Sequence, residues 1–195
     1  MNTLNECQYN AVMYNDGPSL IIAGAGSGKT RVLTYKVAQL LREGYAPNSI
    51  LVLTFTNKAA KEMKERVFKL IGPQASSIQI STFHSLGLRL LKENYSRLGY
   101  KSNFVILDSD DTLTVVKKIM KEMNLNPKFY NARDIRNKIS SAKNELISPK
   151  EFSKTEFDKS IIELYERYVN KLKINNSVDF DDLLSKVVYL FQNHK

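Results

Sequence analysis

Along the first half of the chain, short apolar runs alternate with amphipathic segments. Ser19-Leu20-Ile21-Ile22 predicts a short buried strand ending in a Gly-rich turn. Residues 29–41 follow with Val32, Leu33, Val37 and Leu40 at helical spacing. Ile50 to Phe55 predicts the next strand, Asn57 can cap a helix running to Leu70, and Ile78 to Thr82 predicts a third strand. Strands that alternate with helices predict an α/β fold with a parallel sheet and right-handed crossovers.

Near Ser85 the pattern becomes almost wholly helical. Segments at about 86–98, 109–123, 131–146, 158–173 and 180–193 carry the period of a helix. Asp108 or Ser109, Asp158 and Asp179 are placed to cap the second, fourth and fifth. Gly99, Asn126-Pro127, Ser148-Pro149 and Asn175-Asn176 punctuate them. The expected organisation is an α/β part over 1–85 and a mostly helical part over 86–195.

Composition changes this picture little. With 195 residues, 43% hydrophobic and 25% charged, the chain can bury a core. The formal net charge of +9 fits attraction to nucleic acid, and equally an ordinary lysine-rich surface. The excess is spread out, since residues 1–85 hold nine basic and five acidic side chains and 86–195 hold 20 and 15. A single cysteine, Cys7, excludes an internal disulfide, and with only two histidines a structural zinc is not expected. No leader pattern opens the sequence, and no apolar run nears the roughly 20 residues of a membrane span. The expected location is cytoplasmic, with no membrane partner.

The chemistry is concentrated in Ala23-Gly24-Ala25-Gly26-Ser27-Gly28-Lys29-Thr30. This is the pattern G-x-x-x-x-G-K-[ST], with alanine in the first glycine's place. The glycines let backbone N–H groups close around phosphates without Cβ clashes, and the helix N-terminus adds its positive dipole end. Lys29 would reach the β- and γ-phosphates of ATP, and the Thr30 hydroxyl would ligate Mg²⁺. The loop indicates nucleotide binding without fixing a reaction.

Four further segments appear in order around it. Leu4-Asn5-Glu6-Cys7-Gln8 with Ala11-Val12 resembles the glutamine motif of superfamily 1 DNA helicases. Ala23 to Thr30, followed by Arg31-Val32-Leu33-Thr34, resembles their motif I. Leu53-Thr54-Phe55-Thr56-Asn57-Lys58-Ala59-Ala60-Lys61-Glu62-Met63 resembles motif Ia, and Ile80-Ser81-Thr82-Phe83-His84-Ser85 resembles motif Ib. Ser177-Val178-Asp179-Phe180-Asp181-Asp182-Leu183 resembles the late element of subdomain 1B. Together they are similar to the UvrD/PcrA/Rep group of 3′-to-5′ helicases.

That resemblance implies a RecA-like sheet for 1–85, as the first portion of motor subdomain 1A, and helical subdomain 1B for 86–195. It implies that Gln8 reads the adenine edge, though a polar residue at a helix start is the plainer account. Arg31 either supports the nucleotide or is an exposed helix arginine. Phe55, Thr56, Asn57 and Lys58 would meet single-stranded DNA, with the ring stacking on a base, although Phe55 also suits a core position ending its strand. Thr82 and His84 would lie on the DNA side or serve the fold. The implied partners are single-stranded DNA, single-strand/duplex junctions and the rest of a helicase chain with its second RecA-like domain. The helix at 131–146 carries Ile135, Ile139, Ala142 and Leu146 as an apolar stripe with Arg133, Arg136, Lys138 and Lys143 around it. A solvated face is the simpler reading of those cations, and contact with duplex phosphates the other.

Phe104-Val105-Ile106-Leu107-Asp108 mimics a Walker B strand, but Ser109 stands where a helicase needs glutamate, and Asp110-Asp111 fit a capped helix. The Asp179 to Asp182 cluster likewise reads as a helix start. The water-orienting acid and the opposing arginines of an ATPase are therefore absent. The chain is expected to end inside a longer polypeptide and to bind ATP without turning it over. Two alternatives remain at this level: a small P-loop kinase, and a non-catalytic DNA-binding module with a remnant loop.

Overall fold

A computed structural model of the chain describes residues 4–156 and 158–194. The chain forms two compact units, Met1–Phe83 and His84–Lys195.

In the first unit α1 (Glu6–Met13) begins at a capping box in which Asn5 and Gln8 exchange side-chain and backbone hydrogen bonds. α2 (Lys29–Arg42) follows the Gly-rich loop. Its buried residues Val32, Val37 and Ala38 form the core stripe, while Leu33, one step round from Val32, is 39% exposed. β1 (Leu51–Thr54) and β2 (Gln79–Thr82) pair in parallel, joined through α3 (Asn57–Ile71). The core is Val37 of α2, Ile50 and Val52, Met63 and Val67 of α3, and Ile78 and Ile80. A parallel two-stranded sheet with a helical crossover matches the expected α/β pattern.

Three details differ from the sequence reading. Ser19 to Ile22 does not form a strand, and Leu20 and Ile22 are 85% and 88% exposed. The segment is apolar enough, but among the described residues no strand pairs with it, and an unpaired strand has no ladder to hold it. The cap of α3 is Thr56, whose Oγ1 accepts the Ala59 N–H at 3.1 Å, so Asn57 is the first helical residue. Phe55 is 91% exposed and therefore not a core aromatic.

The second unit is mostly helical. α4 (Phe83–Asn94) leads through a 3-10 turn to β3 (Val105–Ile106), which pairs in parallel with β4 (Ser177–Val178). Between them lie α5 (Ser109–Glu122), α6 (Ala132–Asn144), the short α7 (Pro149–Phe152) and α8 (Lys159–Ile174), and α9 (Asp182–Asn193) follows β4. The apolar stripes of α5, α6 and α8 meet in one core that includes Val116, Ile119, Ile135, Ile139, Leu164 and Tyr168. The Walker B look-alike is resolved as expected. Only Val105–Ile106 is a strand, and Asp108 caps α5 by accepting the N–H groups of Asp110 and Asp111 at 2.8 and 2.9 Å. Leu146, expected on the stripe of α6, is 48% exposed with φ of 60°, in the turn that stops the helix. Among the described residues no helix is long and apolar enough to cross a membrane.

Candidate functional site

The loop that opens α2 is built by backbone conformation. Gly26 and Gly28 adopt φ of 75° and 86°, a region where a Cβ is strained. At Gly28 a Cβ would also lie 2.8 Å from Gln8 Nε2. At Gly24 and Gly26 it would meet nothing within 4 Å, so open space fronts the loop. Lys29 curls over this loop, its Nζ donating to the carbonyls of Ala23 and Gly24 at 2.7 and 2.6 Å. Ser27 Oγ also donates to Gly24 O, at 2.7 Å. Residues 23–27 are exposed, so water can replace these bonds. A polyphosphate offers the ammonium anionic oxygens in place of neutral carbonyls, which favours the exchange. Thr30, also exposed, is the second residue of α2 and thus next to the same opening. The loop's space, its cation and its hydroxyl fit a nucleotide polyphosphate with Mg²⁺.

Gln8 is close to this loop, as expected, but its amide is already used. Oε1 accepts the Asn5 N–H at 3.1 Å and Nε2 donates to Ser27 O at 2.9 Å. Here it fastens α1 to the loop, and Lys36 adds a second tie by donating to the carbonyls of Val12 and Tyr14. Arg31 is exposed on α2 and lies over the Tyr35 ring, 6.0 Å from its centroid.

Just past the C-terminal end of β1, Phe55 and Phe83 form an exposed aromatic pair with centroids 5.8 Å apart. Asn57 and Lys58 start α3 and face solvent. Thr56 is exposed, but its hydroxyl caps α3. Thr82 is corrected by the structure: at 6% exposure it presents almost no surface to a ligand.

In the second unit His84 lies against Phe180, with centroids 4.6 Å apart and rings tilted by 32°. Phe180 is 57% exposed. It was not among the sequence candidates, yet there was a signal, since it is the one large apolar residue between carboxylates in the turn before α9. The elements carrying the two rings meet closely, because a Cβ at Gly87 would fall 2.1 Å from Leu183 O. Only glycine fits there.

On either side of Phe180 in sequence lies a buried charge cluster that includes Lys143, expected on a solvated or duplex-facing surface of α6. Lys143 Nζ lies 2.6 Å from Asp179 Oδ2 and 3.0 Å from Asp182 Oδ1, and Lys186 Nζ lies 3.3 Å from Asp182 Oδ1. Tyr168 OH donates to Asp179 Oδ2 at 2.8 Å. Asp182 N–H donates to Asp179 Oδ1 at 2.9 Å, so Asp179 still supports the start of α9, but from inside the protein. Burial, with Asp182 beside it, raises the Asp179 carboxyl above the usual range against the pull of Lys143. Burial acts the same way on Asp182, but Lys143 and Lys186 outweigh it and hold that carboxyl low. Lys143 is therefore neither a solvated nor a duplex-facing cation, because two carboxylates claim it and it is buried. Lys138 pairs with Glu156, which leaves Arg133 as an exposed cation at the start of α6 with no ion pair among the described residues, while Arg136 is half-buried and donates to Ser109 O and Asn137 Oδ1.

Residues 4–195 match the family model described as the UvrD/REP helicase N-terminal domain. The chain is 51% identical over 195 residues to the ATP-dependent DNA helicase PcrA of Bacillus subtilis, covering 98% of this chain and 26% of the relative. It is 44% identical to PcrA of Staphylococcus aureus strain Mu50, over 98% of this chain and 27% of that protein. PcrA of Leuconostoc citreum is 42% identical, over 98% of this chain and 26% of its own length. The chain thus spans about a quarter of the length of the curated relatives it matches.

Proposed function

Because the chain belongs to the UvrD/REP helicase N-terminal domain family, we propose that it is the ATP-binding, strand-contacting part of a DNA helicase. The observation that carries this reading is the loop Ala23 to Thr30, with Gly26 and Gly28 left-handed and Lys29 at its mouth. ATP draws Lys29 off the carbonyls of Ala23 and Gly24 and onto its β- and γ-phosphates, and Ala23, Gly24, Ala25, Gly26, Ser27 and Gly28 supply the backbone cradle. Thr30 would hold Mg²⁺, which when bound would neutralise phosphate charge. Gln8 exchanges its bond to Ser27 for the adenine edge, so base recognition and loop release are linked. Arg31 supports the phosphates from the first turn of α2.

Phe55, Asn57, Lys58 and His84 contact single-stranded DNA, with Thr56 capping the helix that carries Asn57 and Lys58. Exposure of Phe55 and Phe180 favours stacking on bases, and Lys58 suits phosphate. The parallel pair β1–β2 belongs to a RecA-like sheet of subdomain 1A over 1–85, and 86–195 form subdomain 1B. In the whole protein, located in the cytoplasm, a second RecA-like domain completes the ATP site. Closure and reopening of the cleft then move the chain 3′-to-5′ along one strand into a junction.

Fluorescence anisotropy of single-stranded and forked DNA, with and without a nonhydrolysable ATP analogue and Mg²⁺ across a salt series, tests this. Nucleotide-dependent strand binding that weakens with salt is expected. Strand binding indifferent to nucleotide would favour a plain DNA-binding module, and nucleotide binding without DNA affinity would favour a P-loop kinase.

A further inference from the structure

Phe180 is an exposed ring on a rigid base. Its neighbours Asp179 and Asp182 are 3% and 4% exposed, and both are held by Lys143 of α6. The next residue of α6, Asn144, donates from Nδ2 to Asp181 Oδ1 at 3.1 Å. Two consecutive α6 residues therefore grip the carboxylates on both sides of Phe180, from more than 30 positions away in sequence. Asp179 is fixed again from α8 by Tyr168. On the facing side, the contact of Gly87 with Leu183 O sets the height of α4, which carries His84.

Stability alone is a poor account of this cluster. Desolvating two carboxylates and a lysine costs about as much as their pairing returns, and apolar side chains of similar volume would pack as well. What a charge cluster adds is one defined geometry. An exposed aromatic side chain loses rotamer entropy when it stacks on a ligand, so a ring whose backbone is fixed beforehand binds better.

We propose that Lys143 is a positioning residue which, through Asp179 and Asp182, holds Phe180 against His84 as a preformed two-ring platform for an unpaired base. This rests on the reading of His84 and Phe180 as strand-facing. Lys143 touches no DNA and acts only through Phe180.

The test uses the chain with Lys143→Met, Asp179→Asn, Lys143→Arg, Phe180→Ala, His84→Ala and the surface control Lys138→Met. Two readouts are taken on an oligothymidylate carrying one 2-aminopurine: affinity by anisotropy, and quenching of the 2-aminopurine, which reports stacking. Phe180→Ala, Lys143→Met and Asp179→Asn should each weaken binding by about fivefold or more and reduce quenching, with Lys143→Arg close to the unaltered chain and Lys138→Met unchanged in quenching. The Lys143→Met/Phe180→Ala double variant should bind no worse than Phe180→Ala alone. Full additivity in that pair, or normal quenching in a folded Lys143→Met protein, would overturn the proposal. If circular dichroism finds Lys143→Met unfolded, the nearly isosteric Asp179→Asn bears the test with the same two outcomes. If Phe180→Ala and His84→Ala leave both readouts unchanged, or the unaltered chain binds no strand, the strand-facing reading itself fails and the proposal falls with it.

Discussion

Gly24 and Gly87 make opposite demands on the residue that fills them. A Cβ at Gly24 meets nothing within 4 Å, whereas at Gly87 it would fall 2.1 Å from a backbone oxygen. We expect Gly24→Ala to leave stability within about 0.5 kcal/mol and Gly87→Ala to cost about 1–3 kcal/mol, because the helix backbones must part. Urea denaturation of the two variants measures both, and equal midpoints would contradict the packing described for Gly87. The same contrast shows what sequence can carry. Gly28, Lys29 and Thr30 were legible because a phosphate loop is local, with all its parts within eight residues. The pairing of Lys143 and the close approach at Gly87 were not legible, because each depends on a partner many positions away that no periodicity reports.

Among elements, prediction worked where a stripe meets a cap. α5 and α8 start at Asp108 and Asp158 as their sequences imply, since an N-cap and a 3.6 period are both local. It failed for Ser19 to Ile22, because strand formation needs a neighbour and apolar residues alone do not supply one. It failed in another way for α6, whose charged residues look alike in sequence. In the structure Arg133 is exposed, Lys138 pairs at the surface and Lys143 is buried. Mutations along this helix should therefore differ sharply. Ile139, 2% exposed, should cost about 2–5 kcal/mol on truncation to Ala, while Arg133→Ala should stay within about 0.5 kcal/mol. Chemical denaturation of both variants is the check.

For the molecule as a whole, buried ionisable groups set the pH limits of stability. Burial raises the Tyr168 and Tyr165 phenols above their ordinary value of 10.0, with nearby aspartates adding to it. Burial opposes the charged form of Lys186, but Asp182 and Tyr100 prevail and raise it above 10.5. A raised folded value means stability that is complete below the unfolded value and lost as pH climbs through the folded one. Stability should therefore decline above pH 10.0. Asp182 has the reverse sign: held below 3.8, it stabilises above that pH, and the gain is lost as pH falls through its lowered value. Asp179, raised, partly offsets this acid loss. Melting temperature followed from acid to alkaline pH would show it, and a flat alkaline limb would contradict the burial of these groups.

The account stands or falls at the loop. Titration of this chain with a fluorescent ATP analogue, with and without Mg²⁺, for the unaltered protein and Lys29→Ala, tests it most directly. We expect saturable, Mg²⁺-enhanced binding without turnover, weakened tenfold or more by loss of the ammonium, about 1.4 kcal/mol or greater. Binding that is absent in the unaltered chain, or that survives Lys29→Ala unchanged, would contradict it.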